Sequence, residues 1–209
     1  MRVGVLASGA GTNLQAILDR VHGRAGVEVV AVASDQPDAP ALERARGAGV
    51  ETAVFERGAF DTREARDAAI AGWLEQRGVE LVVLAGYMQL LTPAFLGRFE
   101  RRVINVHPAL LPAFPGLHAI EQAVEHGVKV FGVTVHFVDE GVDTGPIIAQ
   151  RAIELTGLPG PEEVHAALRP LEHDLLCGVV EGFAAGAVSA DPSNPRRVEY
   201  RPVPMGGSQ

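Results

Sequence analysis

Across the first eighty-five or so residues, short β-branched and apolar runs alternate with longer stretches whose apolar residues recur every three or four positions. That alternation admits few folds. Residues 3–7, 27–33, 50–55 and 81–85 read as strands, and residues 13–22, 39–47 and 62–76 read as helices between them. A βαβ series of this kind builds a parallel sheet with right-handed crossovers and a helix layer on each face. Further on, a short helix is expected over 93–99, a strand end over 103–105 and a helix over 119–125. Two β-rich runs, 130–138 and 147–153, are expected to pair as a hairpin-like extension, and 161–182 is the last long helix.

The predicted class is therefore α/β, a Rossmann-like, mostly parallel sheet with helices on both faces and a β-rich C-terminal half ending in a long helix. Aromatic residues make up only 5% of the 209-residue chain against 47% hydrophobic residues, so the core must be built of Val, Leu, Ile and Ala, as in strands covered on both sides. The length suits one well-buried core, which gives a single domain over 1–189. From Ala190 onward Asp-Pro, Asn-Pro, Arg-Pro and Val-Pro pairs leave no periodicity, so 190–209 is expected to be an irregular tail whose last four residues fray.

Net charge is −8 with no basic run, which argues against a nucleic-acid partner. A small anion could still be held locally. The lone Cys177 excludes an internal disulfide and fits a reducing compartment. No uninterrupted apolar run approaches the roughly 18 residues of a membrane span, and no signal-peptide pattern precedes the first strand, so the protein is expected in the cytoplasm.

Two segments carry candidate chemistry. Ser8-Gly9-Ala10-Gly11-Thr12-Asn13 lies between the first strand and first helix, where backbone N–H groups and the positive helix end face any anion. It lacks a Walker lysine, Lys129 being the one lysine in the chain, and Leu14 stands where a dinucleotide fingerprint needs its third glycine. Dinucleotide binding, with Asp35 as the ribose acid, stays open as an alternative, as does a turn that binds nothing. The second segment runs from Asn105 to Asp143. Asn105 and His107, two apart at a strand tip, project to one side, and Pro108 and Pro112 stiffen the turn that follows. Taken singly, His107 reads as a hydrogen-bonding turn residue and Asp143 as a turn carboxylate. Their joint place at strand ends, where open α/β sheets bind ligands, raises the catalytic reading. His107, His118 and His136 show no metal-ligand spacing, and no metal site is expected.

Ser8-Gly-Ala-Gly-Thr-Asn-Leu-Gln15, Leu84-Ala-Gly-Tyr-Met88, Leu91-Thr-Pro-Ala-Phe95, Asn105-Val-His-Pro-Ala-Leu-Leu-Pro112, Pro115-Gly-Leu-His118 and Val135-His-Phe-Val-Asp-Glu-Gly-Val-Asp-Thr-Gly-Pro146 resemble the phosphoribosylglycinamide formyltransferase family over about residues 1–180. The Asn-x-His-Pro and later Asp blocks also occur in methionyl-tRNA formyltransferase and formyltetrahydrofolate hydrolase, so they mark formyl-folate chemistry and not the acceptor. The tRNA enzyme would add a C-terminal domain and basic surface, and the hydrolase an N-terminal domain; neither is expected here. The resemblance implies transfer of the formyl group of 10-formyltetrahydrofolate, with no metal, to the amine of glycinamide ribonucleotide in purine synthesis, with formyltetrahydrofolate hydrolase as the alternative. It implies catalysis by Asn105, His107 and Asp143. Gly11, Thr12 and Asn13 would take the substrate phosphate, aided by Arg169, and Glu172 the ribose. Met88, Gln89, Leu90, Leu91 and Asn105 would line the folate site, with Glu140, Gly141, Val142 and Asp143 contributing backbone groups and Arg63 near the glutamate tail. Gln89 stands where many relatives carry an arginine, and Ile120 where some carry a histidine. The acting unit is expected to be a monomer or homodimer. The 139–146 loop, with Gly141 and Gly145 as hinges, is expected to move on folate binding.

Overall fold

A computed structural model describes residues 1–202. The strands are β1 (Arg2–Leu6), β2 (Glu28–Ser34), β3 (Glu51–Val54), β4 (Leu81–Leu84), β5 (Val103–His107), β6 (Val130–Phe137), β7 (Ile147–Glu154), β8 (Val188–Asp191) and β9 (Asn194–Tyr200). The helices are α1 (Thr12–Arg20), α2 (Pro40–Gly47), α3 (Arg63–Glu75), α4 (Pro93–Arg98), α5 (Ala119–Glu125) and α6 (Pro161–Ala184), with a 3₁₀ turn at Arg57–Ala59. The first seven strands form one sheet in the order β3-β2-β1-β4-β5-β6-β7. Pairing is parallel from β3 through β5, and β6 and β7 add antiparallel to that edge. The Rossmann-like α/β reading and the hairpin extension both hold.

Period-two alternation sorts the strands between two cores. Val3, Val5, Leu81, Val83 and Ile104 face α1, α2, α5 and α6 in the larger core. Leu6, Val82, Leu84 and Val103 face Ile70, Ala71 and Leu74 of α3 and Phe95 of α4 in the smaller one. Continuous apolar strands are the expected signature of a sheet buried on both sides. Strand order reverses between β1 and β4, so the chains leaving them diverge to opposite faces and open a crevice at the C-terminal strand ends. No helix among the described residues is long and apolar enough to cross a membrane.

The C-terminal segment departs from the expected irregular tail. β8 and β9 form an antiparallel hairpin, its turn closed by Asp191 Oδ1, which accepts from Ser193 N–H at 2.8 Å and Ser193 Oγ at 2.6 Å. Pro192 and Pro195, which obscured the pattern, sit in the turn and at the register irregularity near Asp191, where no ladder donor is required. Tertiary packing supplies the rest: Tyr200 lies against Gly178 and Gly182 of α6, and Arg196 Nη2 donates to the Thr144 carbonyl at 2.9 Å. The glycine-rich 206–209 end, expected to fray, lies outside the described residues.

A docked hairpin and an irregular tail differ measurably. Tyr200→Ala is expected to lower the unfolding free energy in urea by about 1.5–3 kcal/mol, the value of burying most of an aromatic side chain. A tail residue would change it by less than about 0.5 kcal/mol.

Candidate active site

At the end of β1 the chain turns through Gly11, whose φ of 69° is left-handed and whose added Cβ would meet the Ala41 Cα at 2.8 Å. Only glycine fits both constraints. Gly11 is the N-cap of α1, which has no side-chain cap and no acidic residue in its first turn, so its leading N–H groups and positive dipole end face the crevice. Asn13 Nδ2 donates to Glu172 Oε2 at 3.4 Å, joining this turn to α6. Burial raises the Glu172 carboxyl above its usual range, more than the Asn13 bond and the nearby His165 and Arg169 lower it. Arg169 Nη2 lies 3.2 Å from His165 Nδ1 one helical turn away. Gly11, Thr12, Asn13, His165, Arg169 and Glu172 thus border one cleft of about 660 Å³, whose other wall includes Met88, Asn105, His107 and Asp143. Its size is that of a small-molecule site.

The Asn, His and Asp candidates converge. Asn105 is register-paired with His136 across β5 and β6, which brings Asn105 Nδ2 to 3.2 Å from His136 Nε2 and 3.3 Å from Asp143 Oδ1. His107 Nδ1 lies 3.3 Å from Asp143 Oδ2, while its Nε2 donates to the Phe114 carbonyl at 2.8 Å. A carbonyl only accepts, so Nε2 carries a proton; the approach of Nδ1 to the carboxylate is then attractive only with a second proton between them. His136 Nδ1 likewise donates to the Phe137 carbonyl at 2.7 Å. Asp143 itself has φ 53°, a left-handed conformation that aspartate tolerates better than most residues and that turns its carboxylate back into the cluster. Gly116 N–H donates to Oδ2 at 2.7 Å. Burial pushes the Asp143 carboxyl up, but the His136 hydrogen bond, the Gly116 amide and the charge of the two imidazoles outweigh it and hold the group below the usual carboxylate range.

The turn after β5 is pinned from beneath. Thr134 Oγ1, fully buried on β6, accepts from Leu111 N–H at 3.1 Å and donates to the Ala109 carbonyl at 2.7 Å, and Gln150 Nε2 donates to both Thr134 Oγ1 and the Leu111 carbonyl. His107 is 4% exposed at the end of β5, an interior strand of the sheet.

A smaller cavity of about 80 Å³ lies beneath the 139–146 loop and is lined by Gln89, Leu90, Leu91, Asn105 and Glu140 to Asp143, with Tyr87 and His136. Asn105 and Asp143 border both cavities. Of the expected folate residues, Met88 borders only the larger cleft and is 62% exposed, while Arg63 is exposed at the start of α3 and lines neither. The loop is braced: Asp139 Oδ1 accepts from Gly141 N–H at 3.1 Å and Thr144 Oγ1 at 2.6 Å. A Cβ on Gly145 would collide with the Phe137 carbonyl, so this glycine serves close packing and not the hinge freedom expected of it. Asp35 is buried, and its two oxygens take hydrogen bonds from Ser8, Gln36 and Gln89, leaving no free face for a ribose.

Residues 1–180 match the Formyl transferase family profile. The chain belongs to this family. It is 41% identical over 186 residues to a phosphoribosylglycinamide formyltransferase of Haemophilus influenzae, covering 88% of each chain. The Escherichia coli protein of the same name is 40% identical over 187 residues, covering 89% of this chain and 88% of its own. The crystal structure of glycinamide ribonucleotide transformylase 1 from Symbiobacterium toebii superposes with a TM-score of 0.91 at 48% identity, over 96% of this chain and 93% of that one. The resemblance read from the motifs is therefore borne out at the level of the family. In this formyl transferase, His136, His165, Thr134 and Gln150 are site or support residues that the sequence reading left out. Their strand and helix parity was legible; the register that brings His136 opposite Asn105 was not.

Opposite shifts make opposite predictions. Because Asp143 is held low, its ionised form stabilises the fold above the ordinary value of 3.8, and this contribution is lost as pH falls through the lowered value. Because Glu172 is held high, stability is lost as pH rises from the ordinary 4.5 through the raised value. In urea titrations Asp143→Asn should therefore destabilise equally at pH 5 and 7 and progressively less below about pH 4. Glu172→Gln should gain on the wild type as pH rises from 4 to 8.

Proposed function

We propose that this chain transfers the formyl group of 10-formyltetrahydrofolate to the amine of glycinamide ribonucleotide, a step of purine synthesis in the cytoplasm. The observation that carries this reading is the junction: Asn105 and Asp143 border both a small, loop-covered cavity and a large cleft that ends on an uncapped helix N-terminus. A formyl donor in the one and an anionic amine in the other would meet at those two side chains. Gly11, Thr12 and Asn13 receive the phosphate with backbone N–H groups, Arg169 adds positive charge, and the Glu172 carboxyl accepts the ribose hydroxyls. Leu90, Leu91 and the 140–143 backbone hold the pteridine, while Arg63, outside both cavities, is left to meet the distal end of the folate.

Attack of the neutral amine turns the formyl oxygen into an alkoxide; the amine gives its proton to Asp143, and that proton passes to the folate nitrogen as the carbonyl re-forms and the C–N bond to folate breaks. Asn105 Nδ2 and His107 Nδ1 each contact Asp143 at 3.3 Å, longer than the 2.8 Å bond from His107 Nε2 to the Phe114 carbonyl. These are the bonds that a developing oxyanion takes over most readily, since the new acceptor carries rising negative charge at the same donors. As His107 turns to the oxyanion, Asp143 loses one of the contacts that hold its carboxyl low and becomes a better base for the amine proton. Oxyanion stabilisation and proton removal are thus two sides of one exchange. No covalent nucleophile is required, because holding donor and acceptor in contact supplies much of the rate.

Incubating the protein with 10-formyltetrahydrofolate, with and without glycinamide ribonucleotide, tests the reading. Loss of the formyl donor should depend on the acceptor; equal loss without it would indicate a hydrolase. His107→Ala and Asp143→Asn should each lower kcat by about 10²–10³ with the circular dichroism spectrum kept, and the double variant should be little worse than either, since both act on one transition state. Arg169→Met should raise KM for the ribonucleotide about tenfold, roughly 1.4 kcal/mol of binding, and leave KM for the folate unchanged.

A further inference from the structure

The wall between the two cavities is the 88–91 segment, and it is held by a buried polar chain that touches neither ligand space for most of its length. Ser8 Oγ accepts from Met88 N–H at 2.9 Å and donates to Asp35 Oδ1 at 2.6 Å. Gln89 Nε2 donates to Asp35 Oδ2 at 3.0 Å, and Gln89 Oε1 accepts from Arg66 Nη1 at 3.2 Å. Arg66 Nη2 reaches Asp67 Oδ1 at 3.2 Å, and Asp67 Oδ2 accepts from Thr92 N–H at 2.7 Å. The segment is thus gripped at Met88 N, at the Gln89 side chain and at Thr92 N, by residues from the ends of β1 and β2 and from α3. Arg66 is 2% exposed and Asp67 is fully buried. Buried charges of this kind add little net stability over an apolar substitute, so their retention is better explained by the geometry they impose.

We propose, building on the formyltransferase reading, that Arg66 is a positioning residue for folate. Its guanidinium forks between Asp67 and Gln89, ties α3 to the middle of the wall, and sets the backbone and side chains of residues 89–91 that form the smaller cavity. Gln89 and Leu90 also border the larger cleft, but the phosphate turn there is built separately, on Gly11 and the start of α1, so the larger effect falls on the smaller cavity. The Arg66 fork is not replaceable by a point charge: lysine can meet Asp67 but cannot hold Gln89 at the same time.

The test compares wild type with Arg66→Met, Arg66→Lys, Gln89→Leu and the Arg66→Met/Gln89→Leu double variant. KM for each substrate, the Kd for 10-formyltetrahydrofolate by calorimetry without acceptor, and Tm are measured in each. Arg66→Met and Gln89→Leu should raise the folate Kd and KM about tenfold, as expected for a wall displaced by a fraction of an ångström, with KM for the ribonucleotide changing less than about twofold. The double variant should be no worse than Arg66→Met. Arg66→Lys should recover Tm while the folate Kd stays raised. Should Arg66→Met fail to fold, Arg66→Lys and Gln89→Leu carry the same comparison. Equal rises in both KM values, or full recovery of the folate Kd together with Tm in Arg66→Lys, would reduce Arg66 to a stabilising residue and overturn the proposal. The calorimetric arm reads folate directly, so a wrong acceptor assignment would show as an inactive wild type that still binds folate.

Discussion

The Asp143 carboxylate gathers Asn105 and His107 from β5, His136 from β6 and the Gly116 amide from the connecting turn into one cluster. These groups come from two neighbouring strands and the turn between them, and the acid is the one acceptor they share. A half-buried carboxylate is costly unless paired, and here the pairing is dense enough to overcome the desolvation penalty and leave the group more acidic than usual. The left-handed backbone at Asp143 is the geometric cost of turning that carboxylate inward. The braced loop, the collision that excludes a side chain at Gly145 and the Thr134–Gln150 support under the preceding turn all hold it there.

Around this cluster the sheet topology allots distinct tasks to its two faces. The face covered by α1 and α6 presents an uncapped helix N-terminus and a raised carboxyl, Glu172. The face covered by α3 and α4 presents a small cavity of mixed polar and apolar lining, with a buried ionic chain behind its 89–91 wall. Because the strand order reverses between β1 and β4, the two tasks meet at the tips of neighbouring strands. An N–H-lined pole and a loop-covered pole with titratable groups between them suit transfer between a charged acceptor and a flat aromatic donor.

Much of this was legible in the order of residues. Alternating periodicity gave the order and type of the first thirteen elements, because strand and helix periods are local properties of the backbone. Gly-x-Gly marked the strand-to-helix turn at the start of α1 for the same reason. Asn105 and His107 could be placed on one side of a strand tip, and the proline-flanked turns marked where the chain cannot be regular. The C-terminal hairpin was hidden because its prolines suppress any periodic reading, while its stability comes from Tyr200 against α6, a contact between residues 18 or more positions apart. Nothing in the spacing of residues along α3 singles out Arg66. Only the packing of α3 against the end of the 88–91 segment turned it inward.

The sequence by itself determined the layer class, the strand tips that carry the chemistry, and the family. Those rest on spacing along one chain, where the physics is steric and short-ranged. Tertiary structure decided which groups share protons: that His136 lies opposite Asn105, that Asp143 is the common acceptor, and that Arg66 reaches Gln89. Register and packing set those distances, and an electrostatic interaction in a low-dielectric interior depends on distance and burial, neither of which is written in the spacing of residues along the chain.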